Sequence, residues 1–256
     1  MKKLPDLIAD VERNPRLPPG PEERFAGYGI MGVPFSSGHV LGLRRFTASS
    51  VGPGYTSVWL RRPSGAWTMY TDAAAGVACP RYFGSVLESA PVRSIAVDWL
   101  DDHRFTVTIG EDVGLRWEVV LTASPITRVM SAVASAVPEK LWRSRPFLKA
   151  MGAVAGPVLG AGRIGLTGHV PNHQGFRANP KRMWFISEST ASLNGKDLGR
   201  LQALPVQTRL GDFWIPQRGI FMIGQTAFDT FDPAVHLAVL EGGARPGSGD
   251  GGGDGA

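Results

Sequence analysis

Hydrophobic and polar residues alternate with a period of two over much of the chain. In RSIAVDW, Ile95, Val97 and Trp99 alternate with Ser94, Ala96 and Asp98; in RFTVTIG, Phe105, Val107 and Ile109 alternate with Thr106 and Thr108; in LRWEVVL, Leu115, Trp117, Val119 and Leu121 are set against Arg116 and Glu118. Such alternation predicts half-buried strands. The connections DDHR and GEDVG are short and rich in Asp and Gly, which suits hairpins rather than helical crossovers. Upstream, GHVLGLRRF, YTSVWLRR and AWTMYTD read the same way, with Pro63-Ser64-Gly65 as a turn. Downstream, RIGLTGHV, RMWFISESTASL and RGIFMIGQTAF continue the pattern, with Asn194-Gly195 as a turn. The fold class expected is mainly β: an antiparallel lipocalin-like barrel, or a strongly bent sheet that protects its edges by curling.

One segment leaves the period of two. Ser124-Pro125 is a helix start, and Ile126, Val129, Met130, Val133 and Val137 follow at helical spacing until Pro138. A second piece runs from about Pro146 through Phe147, Met151 and Val154 to Gly156-Pro157. Residues 124–162 therefore read as a helical pair inserted into a single barrel-like domain spanning 25–240. The flanks differ in composition. Residues 1–24, which include the Pro-rich, charged RNPRLPPGPEER, are expected to be a mobile segment, and 241–256 a disordered Gly/Asp-rich tail. Asp232-Pro233 and the following AVHLAVLE predict a short helix ending at Gly242.

Composition narrows the function. With 43% hydrophobic residues over 256 positions, the chain can bury a substantial core. The formal charge of +5 is spread out, with Lys and Arg at most in pairs such as Arg44-Arg45 and Arg61-Arg62, so the basic stripe of a nucleic-acid binder is absent. Cys79 is the single cysteine, which excludes an internal disulfide. No secretory signal and no run of roughly 18 to 20 apolar residues is present, and the location expected is cytoplasmic.

Motifs are sparse. TGHVPNHQGFRANPKRMW carries His169 and His173 four apart, but Pro171 makes a helix there improbable on steric grounds, and on a strand the two would sit about 13 Å apart. No metal is expected, since zinc sites need three or four ligands. His169 shares a strand face with Arg163 and Thr167, which points to solvent or to a polar lumen. Glu188 shares a face with Trp184 and Ile186, the setting that raises a carboxyl pKa for general-acid work. His169 and Glu188 are therefore the catalytic candidates. Gln225, among Phe221, Ile223 and Ala227, is a polar group in an apolar strand and needs a partner or a ligand. With Trp59, Tyr70, Trp117 and Trp184 it forms the set of candidate ligand-binding residues, since barrels of about eight strands can hold one small molecule. Nucleotide-binding glycine loops, a Walker motif and the serine-hydrolase elbow are missing from the folded portion, and no cofactor is implied.

The hairpin SVWLRRPSGAWTMYTD and the meander RSIAVDWLDDHRFTVTIGEDVGLRWEVVLT resemble the lipocalin-like (calycin) β-barrel proteins of the carotenoid hydratase, tocopherol cyclase and Diels-Alderase group, over about half the chain. This resemblance implies an apolar barrel pocket that binds a polyketide, terpenoid or lipid-like metabolite, with isomerisation or cyclisation as the chemistry such pockets perform. The chain departs from the group in its helical insertion and in lacking a Gly-x-Trp opening. SSVGPGYTSVWL and NGKDLG resemble acetoacetate decarboxylase-like proteins instead. That chemistry needs a Schiff-base lysine in a desolvated pocket, and none of the six lysines lies in an apolar strand. The alternative to a ligand binder is a structural or membrane-surface module. EKLWRSRPFLK, within 138–149, sets Trp142 and Phe147 among four cations, a mixture suited to peripheral contact with anionic lipid.

Overall fold

A computed structural model describes residues 3–110 and 112–238. The Gly/Asp-rich 241–256 segment lies outside the described residues. Helix α1 (Leu4–Arg13) precedes a four-strand meander, β1 (Glu23–Pro34), β2 (Val40–Ser49), β3 (Tyr55–Arg61) and β4 (Trp67–Thr71). The short α2 (Pro80–Phe83) leads to a second meander, β5 (Ile95–Trp99), β6 (Arg104–Ile109) and β7 (Leu115–Thr122). The helical layer comprises α3 (Pro125–Ala136), α4 (Glu139–Trp142) and α5 (Arg145–Leu159). After it come β8 (Thr167–His169), the long β9 (Gly175–Leu193), β10 (Lys196–Asp197), a ribbon of β11 (Arg209–Leu210) and β12 (Phe213–Trp214), and β13 (Ile220–Phe228).

Nine strands pair antiparallel in the order β4-β3-β2-β1-β13-β9-β7-β6-β5. β9 is 19 residues long and serves both halves, pairing first with β13 and then with β7. Two bulges bend it. The pairing steps from Ile223–Arg182 to Gly224–Pro180, and from Val120–Glu188 to Leu121–Ile186, leaving Lys181 and Ser187 as extra residues. A bulge bends and twists its strand, and the first stands beside Pro180, the kind of place where a proline is tolerated within a sheet.

The result is a strongly curled half-barrel. One apolar cluster joins Val58, Leu60 and Tyr70 at one end of the sheet to Phe105, Val107 and Trp117 near the other, with Trp184 and Phe221 between them, so the two ends curl toward each other around it. Short bridges from Thr68 to Ser89 and Thr71 to Val92 tie β4 to the segment that leads into β5. The lumen is a packed core: Phe105, Trp117 and Phe221 are fully buried, and the Trp117 indole N–H donates to Ser189 Oγ at 2.8 Å.

Residues 4–13, within the segment expected to be mobile, form α1. Leu4, Leu7, Ile8 and Val11 form a helical stripe that packs on the inner core, and Glu12 accepts from the Tyr28 hydroxyl at 2.9 Å and pairs with Arg45 at 2.9 Å. The helical insertion forms as the pattern predicts. Ser124 caps α3, with Thr127 closing a capping box, and Val137-Pro138 ends that helix; Ser144 caps α5, which stops at Gly160 with φ 60°. The helix expected after Asp232-Pro233 is a turn in its described part: Asp232 Oδ1 accepts from Ala234 N, and the chain then binds Asn172 O through Leu237 N. Among the described residues no helix is long and apolar enough to cross a membrane.

Candidate functional site

The outer face of the first meander carries a second apolar cluster, built from Phe25, Val40, Tyr55, Trp59, Trp67 and Met69. α2 covers it with Tyr82 and Phe83, and the 204–215 segment covers it with Leu204, Leu210, Phe213 and Ile215. Between these covers and the sheet lies a cavity of about 60 Å³, below the roughly 300–1,000 Å³ usual for drug-sized ligands, so it suits a small occupant. Its floor includes Gly27, Gly29 and Gly224. At Gly29 a Cβ would collide with the Leu43 carbonyl of β2, so the close approach of the two strands requires glycine and leaves the floor free of side chains. The aromatic wall is tight. Tyr82 stacks on Phe228 at 3.7 Å between ring centroids, and Trp59 meets Phe83 at 4.7 Å and Phe213 at 5.7 Å.

Arg44 brings charge into this wall. Arg44-Arg45 stands within a strand, so the pair splits between the two faces: Arg45 turns inward to Glu12, and Arg44 turns outward into the cavity. Only 7% of Arg44 is exposed. Its Nη1 donates to the Leu43 carbonyl at 2.8 Å and to the Ile30 carbonyl, and its guanidinium lies 4.5 Å from the Trp59 ring centroid. Among the described residues no carboxylate pairs with it. Burial pulls its pKa down to about 10, which still leaves it charged at neutral pH. The neighbouring Cys79 Sγ lies 3.4 Å from the Tyr55 hydroxyl, and burial raises the pKa of both groups, keeping them neutral. Arg44 is thus the one charged side chain among the lining residues. At the opposite rim Asn179 Nδ2 donates weakly to Gln225 Oε1 at 3.4 Å, and Asn179 Oδ1 is buried without a partner.

The motif around His169 and His173 supports this site from behind. In β1, Glu23 receives a two-point contact from Arg81, at 2.7 Å and 3.0 Å, and a hydrogen bond from the Tyr82 hydroxyl at 2.6 Å. Gln174 Nε2 donates to the same carboxylate at 3.3 Å. Asn172 donates to Gln174 Oε1 at 2.6 Å and to the Arg81 carbonyl at 3.0 Å, while its backbone N–H donates to the Tyr82 carbonyl. Burial by itself would raise the Glu23 pKa, but the hydrogen bonds from Arg81 and Tyr82 hold it below its ordinary value. Asn172 and Gln174 therefore latch α2, and with it Tyr82, over the cavity. The two histidines remain outside. His173 occupies a turn at φ 74° and is exposed; His169 is exposed, with its Nδ1 3.6 Å from Asp212 Oδ2. Among the described residues no group of three or more His, Cys, Asp or Glu side chains could hold a metal.

The other sequence-selected residues divide. Trp59 and Gln225 line the cavity. Tyr70, Trp117 and Trp184 belong to the inner core, and the pocket lies on the outer face of the curl rather than in its lumen. Glu188 is exposed. The bulge at Ser187 shifts the alternation by one, so Glu188 leaves the face of Trp184 and Ile186, and Ser189 takes the inward position. Trp142 is 3% exposed and packs with Leu148, Leu166 and Ala178, and Phe147 packs beside it. Sequence reasoning missed Arg44, Glu23, Arg81 and Tyr82. An arginine pair inside an otherwise apolar strand was the available signal for the first.

No family model and no curated protein matches the chain. Among solved structures it is similar to an acetoacetate decarboxylase from Legionella pneumophila, at 11% identity and a TM-score of 0.40, over 91% of this chain and 96% of that one. That likeness is too distant to carry an activity across. The cavity itself is lined by no lysine.

Proposed function

We propose that the outer-face cavity binds a small apolar molecule bearing a carboxylate or a similar anion, with the anion against Arg44. The observation that carries this reading is a buried guanidinium, satisfied only by backbone carbonyls, in an otherwise uncharged aromatic pocket. A buried cation without a counter-charge is costly, and an incoming carboxylate supplies the missing partner through paired hydrogen bonds. Mass spectrometry of the intact protein purified from its own host, under native conditions, tests the reading by the mass of a retained acid. Calorimetry with apolar acids and their amides gives the second arm: acids should bind, amides should bind more weakly, and Arg44→Met should abolish the difference. Equal binding of acid and amide by the wild type defeats the proposal.

A second reading, contact with an anionic membrane surface, is favoured by the outer side of the helical layer. Val129 of α3 and Val154 of α5 are 61% and 62% exposed, with Ile126, Val133 and Val158 also open. Arg128, Lys140 and Lys149 are exposed on the same segment, and Glu139 is its one carboxylate. An apolar face fringed by cations suits an anionic lipid interface. Sedimentation with phosphatidylserine-containing vesicles at low salt should pull down the wild type, and Val129→Asp with Val154→Asp should not be pulled down. A protein that ignores these vesicles and instead dimerises through this face refutes the lipid reading.

A further inference from the structure

An open groove of about 850 Å³ runs along α5, far larger than the Arg44 cavity and within the roughly 300–1,000 Å³ usual for small-molecule sites. The 162–169 segment forms its floor, and α5 lies directly on that segment, since a Cβ at Gly152 or Gly156 would collide with the Ile164 or Gly162 carbonyl. Lys149, Ala153 and Pro157, each four residues from the next, make the α5 wall, and Trp214 stands opposite on the β12 side.

Three cations line the groove: Arg145, Lys149 and Arg163. Arg145 pairs with Asp229 at 2.6 Å, whereas among the described residues no carboxylate pairs with Lys149 or Arg163, and the Arg163 guanidinium rests 5.0 Å from the Trp214 ring centroid. Asp212, the one acid in the lining, is already engaged: the His169 backbone N–H donates to it at 2.9 Å, and Arg209 lies 3.9 Å from it. The groove therefore carries unbalanced positive charge. About 100° round α5 from Ala153 and Pro157, Val154 and Val158 face solvent, so a cationic groove and an open apolar stripe share one helix.

We infer that this groove holds the phosphate of an anionic phospholipid, with the acyl chains over Val154 and Val158. This rests on the reading that the helical layer meets an anionic membrane, and it names the lipid class and the site that selects it. Lys149 offers the phosphate a point charge and Arg163 a planar fork of donors. A choline headgroup would set its quaternary ammonium among these cations with no unengaged carboxylate in the lining to receive it, which builds discrimination into the groove.

Calorimetry with dihexanoyl phosphatidylglycerol and dihexanoyl phosphatidylcholine, titrated as monomeric lipids into the full chain, tests this without a bilayer. Phosphatidylglycerol should bind one to a chain, about tenfold more tightly than phosphatidylcholine, as expected for charge-assisted contacts. Lys149→Ala with Arg163→Ala should remove the preference; both side chains are exposed, and Lys149→Ala alone should carry part of the loss if the pair does not fold. Arg116→Ala with Lys196→Ala takes the same charge from exposed positions outside the groove and should leave the preference intact. Equal binding of the two lipids by the wild type, or equal losses in the two double variants, overturns the inference. So does glycerol 3-phosphate binding as tightly as phosphatidylglycerol, because the groove would then take a free organic phosphate. Sedimentation with phosphatidylserine-containing vesicles separates the two levels of failure: a protein that binds the vesicles but shows no headgroup preference keeps the membrane reading and loses the groove, and one that ignores the vesicles loses both.

Discussion

Replacing Arg44 by methionine keeps the length of the side chain and removes its charge. Burial pulls the guanidinium pKa well below its ordinary value, to about 10, which at about 1.4 kcal/mol per unit corresponds to roughly 3 kcal/mol held against the charged form. The substitution also gives up stacking over Trp59, about 1 to 2 kcal/mol in a desolvated setting. It also gives up the hydrogen bonds to the Leu43 and Ile30 carbonyls, about 1 kcal/mol net each, so gains and losses nearly cancel and the Tm of the ligand-free variant should stay within about 2 °C of the wild type. The balance holds across the working range. For a base whose folded pKa is depressed, the cost is fully present below the folded value of about 10 and is relieved only as pH rises through it toward the ordinary guanidinium value, so the difference should be flat from pH 6 to pH 9. Ligand should separate the two. A carboxylate at a hundredfold excess over its Kd stabilises the wild type by about 2.7 kcal/mol, and the variant, with weakened binding, should gain little. Differential scanning calorimetry with and without the acid measures both effects. A ligand-free variant whose Tm falls by several degrees would show that Arg44 is a clamp between β1 and β2, and the argument for a missing counter-anion would collapse.

Four further outcomes follow from the site. Glu23→Gln leaves Arg81 without its charge partner and should cost about 3 kcal/mol in urea unfolding; because the folded Glu23 pKa is depressed, this contribution is present above the ordinary value of 4.5 and should be lost as pH falls below it, so wild type and variant should converge in acid. Cys79, a buried neutral thiol, should react with iodoacetamide at pH 8 far more slowly than a free cysteine, and more slowly still with a carboxylate bound; rapid labelling would show that the cavity is open and the thiol ionised. Gly29→Ala forces a methyl onto the Leu43 carbonyl and should destabilise by about 2 kcal/mol or more, visible as a lower urea midpoint. Glu188→Gln should change neither Tm nor acid affinity beyond measurement error, since the carboxylate faces solvent; a tenfold loss of affinity would return it to the site.

The strand rhythm was legible because it depends on local burial, and the antiparallel meander of β5, β6 and β7 follows RSIAVDW, RFTVTIG and LRWEVVL closely. Which face each residue takes is less local. Alternation assigns Glu188 correctly only if the count from Trp184 is unbroken, and a bulge at Ser187 depends on β7 pairing across the bend rather than on any residue type in RMWFISEST. α1 was hard to read for a different reason: its apolar stripe Leu4, Leu7, Ile8 and Val11 is short and adjoins a Pro-rich, charged run after Asn14 whose composition is that of an unstructured segment.

The site itself could be read only in part, for a topological reason. A curled sheet has two apolar faces, and aromatic strand residues are distributed over both: Tyr70, Trp117 and Trp184 fill the lumen, whereas Trp59 lines the outer cavity. Composition alone does not say which face is sealed by packing and which keeps a void. That is decided by what covers the sheet, here α2 and the 204–215 segment, and α2 is held by Glu23 and by Asn172 and Gln174, which lie about 150 residues further along the chain. The polar cluster beside His169 and His173 suggested chemistry because its residues can bind metals or move protons. In the folded chain those same hydrogen-bonding groups satisfy one another, and the charge left without a counter-charge is the cation at Arg44. In this pocket the charge without a counter-charge is therefore a stronger guide to the ligand than the density of polar residues along the sequence.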